Sequence, residues 1–216
     1  EKRSLEISKN CISGKVYNAR WVLERAIRDH AMQIDKERVK VASLQLKTFL
    51  QYIQNAESKE QLRGYEGEAA SIYFSVFDEL ILQQKKDFFF FFRSKRPPMD
   101  NVNAMLSFVY TLLTNQITSA LESVGLDPCV GYLHTERPGR ASLALDLIEE
   151  FRAVYADRFV LSLINKKIVN KKNFTKKENG AVLMDDDSRK KLLMEWQNKK
   201  KEVITHPFLK EKVEWG

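Results

Sequence analysis

The side chains best suited to chemistry are concentrated in GYLHTERPGRASLALDLIEEF, residues 131–151. His134 stands before a turn built on Pro138 and Gly139, and an apolar segment bearing Asp146, Glu149 and Glu150 follows. Such a turn reverses the backbone sharply and can aim the imidazole at whatever comes next. What comes next is acidic. On a helix Asp146 and Glu149 stand three residues apart and share a face, so the two carboxylates and His134 can reach a common cation. Periodicity opposes this. The apolar stripe of the helix is Ala144, Leu147, Ile148, Phe151 and Val154, and both carboxylates fall roughly opposite it, where charged side chains normally meet solvent. By itself the segment favours a solvated helix face.

A second acidic candidate lies earlier. Glu66, in GYEGEAA, is four residues after Leu62 and three before Ala69, at the edge of a helical apolar stripe where a carboxylate needs a partner or a cation. Gly64 and Gly67 flank it, and each costs about 1 kcal/mol relative to alanine inside a helix. Their presence points to a close approach by another backbone or a ligand. A tight helix crossing, with Glu66 paired to a lysine or arginine, explains the same residues, and both readings stay open. The other two histidines, His30 and His206, have no such neighbourhood and read as surface or core side chains.

The elements that must position these residues are mostly helices. Leu5, Ile12, Val16, Leu23 and Ile27 recur at helical spacing, as do Val39, Ala42, Leu46, Phe49 and Ile53. Ser58 and Gln61 form a capping box for a third helix with the stripe Leu62, Tyr65, Ala69, Ile72, Val76 and Leu80. Residues 83–100, with DFFFFFRSKRPPMDN, read as a loop, because Pro97 and Pro98 break regular structure. Five consecutive phenylalanines cannot face one way, so some bury as an anchor between helices or meet a partner. Asp100 caps a fourth helix from about Asn101 to Val124, which Gly125 ends. A fifth helical pattern, whole or broken, covers residues 142–166. Asn179-Gly180 predicts a small β-hairpin near residues 174–184, and Asp185, Asp186 and Asp187 open a last helix running to about Glu202. The fold class is mainly α with one hairpin, and no repeat or composition break divides residues 1–216 into more than one helical domain.

Composition narrows the partners. The 36 Lys and Arg exceed the 29 Asp and Glu, giving a net charge of +7 that suits phosphate-rich partners or an anionic membrane surface. Lysines 166, 167, 171, 172, 176 and 177 could extend a backbone-contact surface, although a charge run is more often a solvated face. Two cysteines are too few for a disulfide framework or a thiolate zinc site. No apolar run is long enough to span a membrane, and EKRSLEISKN lacks a signal-peptide core, so a cytoplasmic location is expected with no membrane partner.

Four segments carry a family resemblance: RGYEGEAASIYF (63–74), RPPMDNVNAMLSFVYTLL (96–113), GLDPCVGYLHTERPGRASLALDLIEEFR (125–152) and ADRFVLSLINKK (156–167). Together they resemble the CRISPR-associated spacer-acquisition integrase, the "Cas one" endonuclease family. They occur in family order over most of the chain, and the HTERPGR and DLIEEFR wording is most similar to the subtype I-C branch. The resemblance implies a divalent metal held by Glu66, His134 and Glu149, with Asp146 supporting the site. One imidazole with carboxylates suits Mn²⁺ or Mg²⁺. Such an ion polarises a phosphate and helps a water or a DNA 3′-hydroxyl attack, which covers nicking and the transesterification that joins a spacer to the repeat. Arg63 precedes Glu66 by three residues and Arg137 and Arg140 flank the turn after His134, so they could contact DNA phosphates, although exposed arginines are often only solubilising. Arg158 falls in an apolar stripe and is expected to pair with a buried carboxylate. The resemblance also implies a homodimer in the longer protein, a small "Cas two" partner, and family segments outside this chain: an N-terminal β-rich domain and a C-terminal tail. A basic helical DNA-binding module without chemistry, or a scaffold using the phenylalanine run, are the alternatives from other classes.

Overall fold

The computed structural model describes residues 2–135, 137–205 and 210–214. Seven α-helices among these residues follow the order α1 (Lys2–His30), α2 (Lys36–Gln54), α3 (Lys59–Ser75), α4 (Asn101–Ser123), α5 (Ser142–Phe151), α6 (Arg158–Asn165) and α7 (Asp186–Lys200). The expected caps hold their helices. Ser58 accepts from the Gln61 amide at 3.2 Å, Asp100 from Asn103 at 2.7 Å and Asp185 from Ser188 at 2.7 Å. The return half of the capping box is displaced by one residue, because the Gln61 side chain accepts from the Glu57 amide at 2.8 Å. Gly125, at φ 78°, ends α4 in the left-handed region that glycine adopts without strain.

Helix α1 lies at the centre. Its buried stripe, including Ile12, Val16, Ala19 and Leu23, packs against α2, α3 and α5. Helix α5 is held between α1 on one side and α4 on the other. The 142–166 pattern is helical without a gap from Ser142 to Asn165 and changes to a π-helical turn over Arg152–Asp157, a geometry that often marks functional positions.

Residues 83–100 contain no helix or strand, as expected. Phe88 and Phe90 are buried and anchor this loop, with Phe90 stacked on Phe74 and tilted against Phe77. Burying each such ring contributes about 2–3 kcal/mol. Phe89, Phe91 and Phe92 face outward. The predicted hairpin pairs β1 (Phe174–Lys176) with β2 (Val182–Met184), in register Thr175 to Leu183. A second antiparallel pair, β3 (Val203–Thr205) with β4 (Lys212–Glu214), follows α7. Strands of three residues are too short to show a period, so the sequence did not announce it. Among the described residues no helix is long and apolar enough to cross a membrane.

Candidate active site

Asp146 organises the loop that carries His134. One carboxylate oxygen accepts the Tyr132 and Leu133 amides at 2.5 and 3.0 Å, and the other accepts the His134 amide at 2.9 Å and lies 2.7 Å from its Nδ1. Burial alone would raise the Asp146 pKa, but these bonds outweigh it and hold the carboxyl below its usual value. With Nδ1 donating to Asp146, Nε2 is left as the ring nitrogen with a lone pair for a ligand. Two further features fix the loop. A Cβ on Gly131 would stand 2.6 Å from the Ser142 Cβ and 2.9 Å from its backbone carbon, so only glycine fits there. The Arg63 guanidinium donates to the Leu133 carbonyl at 2.7 Å and spans from α3 to the loop.

Glu149 lies one turn further along α5 and is 5% exposed. Lys15 of α1 approaches one of its oxygens at 2.7 Å, and Arg152 the other at 3.1 Å. Burial works against the charged carboxylate, yet these two cations prevail and bring its pKa down to about 2. Lys15 also pairs with Glu66 on α3, so one ammonium bridges carboxylates from two helices. The same competition acts on Lys15: burial opposes its charge, and Glu149 and Glu66 hold it protonated. Arg152 lies over the Tyr110 ring at 4.7 Å, and the Tyr110 hydroxyl donates to the buried Asp157 at 2.6 Å.

Lys15, Glu66, His134, Glu149 and Arg152 line one cleft of about 550 Å³, with the exposed Phe91 and Phe92 also on its wall. The expectation of a solvated acidic face on α5 is therefore corrected. Asp146 and Glu149 are both buried, Asp146 against the 131–134 loop and Glu149 against Lys15 of α1, whereas Phe151 of the expected apolar stripe is 38% exposed. The glycines of α3 need a second correction. A Cβ on Gly64 or Gly67 meets nothing within 4 Å, whereas one on Gly14 of α1 would reach the Glu150 side chain at 2.9 Å. The close helix approach is made by Gly14, and Gly67 borders the open cleft. Glu66 does pair with a lysine, as the structural alternative required, but that lysine is shared with Glu149.

Other sequence candidates are dispersed. Arg137 is exposed and Arg140 half-buried in the turn after His134, while lysines 166, 167, 171, 172, 176 and 177 are exposed. Among the described residues no ion pair includes Arg158; Arg152, six residues earlier, takes that role. His30 borders a separate cleft, and His206 lies outside the described residues. Lys15 and Arg152 were missed from the sequence. Lys15 carried a usable signal, since it stands three residues after Ile12 and four before Ala19, at the edge of the α1 stripe as Glu66 does on α3.

The donor set suits a hard divalent ion: two carboxylates and an imidazole whose other nitrogen is tied to a carboxylate. A cation already bridges two of the three, and one buried Glu149 oxygen, Oε2, has no aligned hydrogen bond despite its close ammonium. As the side chains stand, no three His, Cys, Asp or Glu among the described residues converge to hold an ion. The residues fit the ion by chemistry and place, with Lys15 between them.

The helical framework defines the class first. It superposes on a casposase bound to integration product with TM-score 0.83 at 27% identity, covering 100% of this chain and 57% of that one. It also shares its fold with a partial Cas6-RT-Cas1–Cas2 complex, TM-score 0.80 at 22% identity, covering 93% of this chain and 59% of that one. The chain belongs to the CRISPR-associated protein Cas1 family, whose model matches residues 1–198. The CRISPR-associated endonuclease Cas1 1 of Chlorobaculum tepidum is 53% identical over 205 residues, which are 95% of this chain and 60% of that protein. The chain thus spans about three fifths of that relative's length.

Proposed function

We propose that this chain is the helical catalytic domain, residues 1–216, of a metal-dependent DNA endonuclease and integrase that inserts new spacers into a CRISPR array. The observation that carries the reading is one cleft gathering Glu66, His134 and Glu149 from three separate segments, with Asp146 fixing the imidazole. Glu66, His134 and Glu149 would hold Mn²⁺ or Mg²⁺, which polarises a phosphate and lowers the pKa of an attacking oxygen. The protein's own side chains do the remaining work. Asp146 keeps the His134 proton on Nδ1, and Arg63 holds the loop through the Leu133 carbonyl. Arg152 supplies positive charge beside the reacting phosphate, while Arg137 and Arg140 meet the DNA backbone at the cleft's edge.

The longer protein would act as a homodimer with a small Cas2 partner, in the cytoplasm where the array resides, and the HTERPGR and DLIEEFR wording supports assigning it to the subtype I-C branch. Support for the partners comes from the Cas1–Cas2 assembly that shares this fold and from the casposase bound to integration product. The test is Mn²⁺-dependent nicking of a branched DNA by Glu66→Ala, His134→Ala and Glu149→Ala variants, with helical content checked by circular dichroism. Each variant is expected to lose nicking while remaining folded. Wild-type cleavage by all three refutes the site. Salt-dependent DNA binding without turnover in any metal favours a non-catalytic binding module instead.

A further inference from the structure

The cleft already holds one cation, and it is part of the protein. Lys15 reaches Glu66 and Glu149, two of the three proposed ligands, from a third helix. Two carboxylates brought together from α3 and α5 repel each other, and the ammonium neutralises that repulsion where a divalent ion would do the same. A divalent ion seated between the two carboxylates would compete with the ammonium for the oxygens it now holds, and the two positive charges would repel each other. We propose that Lys15 is the resident cation of the metal-free site, and that its ammonium must leave Glu66 and Glu149 before a divalent ion binds, so that Lys15 sets the metal affinity of the cleft. The inference rests on the metal-site reading above and adds a regulating residue to it.

The two basic residues at Glu149 differ in how easily they can give way. Arg152 is seated over the Tyr110 ring and continues into the buried Tyr110–Asp157 pair, so its guanidinium is fixed from below. Lys15 has a flexible four-carbon stem with a rotatable head, and it opens onto a cleft of about 550 Å³. Charge balance agrees. Glu66, Glu149 and Asp146 carry three negative charges against two positive ones on Lys15 and Arg152. A divalent ion that joined without moving the ammonium would leave the site positive and crowded on one pair of carboxylates. Once released, the ammonium can turn to a phosphate.

The competing role is a strut. If Lys15 only preassembles Glu66 and Glu149, removing it lets the ligands drift apart and weakens metal binding. The two roles predict opposite signs. Mn²⁺ binding to the wild-type chain, Lys15→Met and Lys15→Gln is measured from the electron paramagnetic resonance signal of free Mn²⁺ at neutral pH. An ammonium resident in more than about nine tenths of molecules reduces apparent affinity at least about tenfold, so both variants are expected to bind Mn²⁺ about tenfold tighter or more. Without metal their melting temperatures are expected to fall, and Mn²⁺ should raise them by more than it raises the wild type. Equal or weaker Mn²⁺ binding in both variants, with helical content intact, overturns the role of Lys15 and leaves the metal site standing. Saturable binding that survives Glu66→Gln, or no binding by any form, overturns the metal site itself and the inference with it.

Discussion

Replacing Asp146 by asparagine removes one negative charge from a carboxylate that serves four donors. The side chain is 1% exposed, so water cannot substitute for what is lost. Its two oxygens each serve a pair: the Tyr132 and Leu133 amides on one, the His134 amide and Nδ1 on the other. An asparagine keeps one acceptor and turns the other into a donor. The less costly orientation leaves the carbonyl on Tyr132 and Leu133 and points the amide nitrogen at His134. The His134 amide then loses its partner, and Nδ1 must become an acceptor. One stranded buried amide and three bonds without charge assistance together cost about 3 kcal/mol. The tautomer change matters more for function, because the proton moves to Nε2 and removes the lone pair a metal would use. Urea denaturation at neutral pH should show the midpoint falling with an unchanged slope. Mn²⁺-dependent nicking should fall further than the stability loss explains, with weakened Mn²⁺ binding. A loss below about 1 kcal/mol together with full nicking would refute the role assigned to Asp146.

Other expectations follow from the same geometry. The pKa of Glu149 is brought down from its usual 4.5 to about 2 in the folded chain. A lowered carboxylate pKa stabilises the fold above 4.5, and that contribution, about 3 kcal/mol, is lost as pH falls from 4.5 toward 2. Urea denaturation across this range should show a steep acid limb that Glu149→Gln flattens; an unchanged limb would contradict the burial and pairing described. Gly131→Ala should cost about 1–3 kcal/mol and disturb the His134 loop, since the new methyl group meets backbone. Gly64→Ala, in open space on α3, should instead raise stability by about 1 kcal/mol. Thermal melts of the two variants separate them by sign.

Local chemistry made much of the framework legible. Ser58, Asp100 and Asp185 could be assigned as caps because a cap depends on a side chain and an amide only a few residues away. Asn179-Gly180 announced its hairpin for the same reason, with Gly180 at φ 82°. The second strand pair, beyond α7, offered no comparable signal.

The sequence by itself raised the question of a cation at Glu66, His134 and the acids Asp146, Glu149 and Glu150, and only the family resemblance singled out Glu149 among the three. It could not decide which way α5 faced. An apolar stripe suggests the side a helix buries, but the neighbouring elements decide which side is covered. Tertiary packing decided that: the 131–134 loop meets Asp146, Lys15 of α1 meets Glu149, and Phe151 of the expected stripe is left partly exposed. It also decided the partner of Glu66. Lys15 is 51 residues from Glu66 in the chain, and only the crossing of α1 with α3 and α5 makes its ammonium the cation that both carboxylates share.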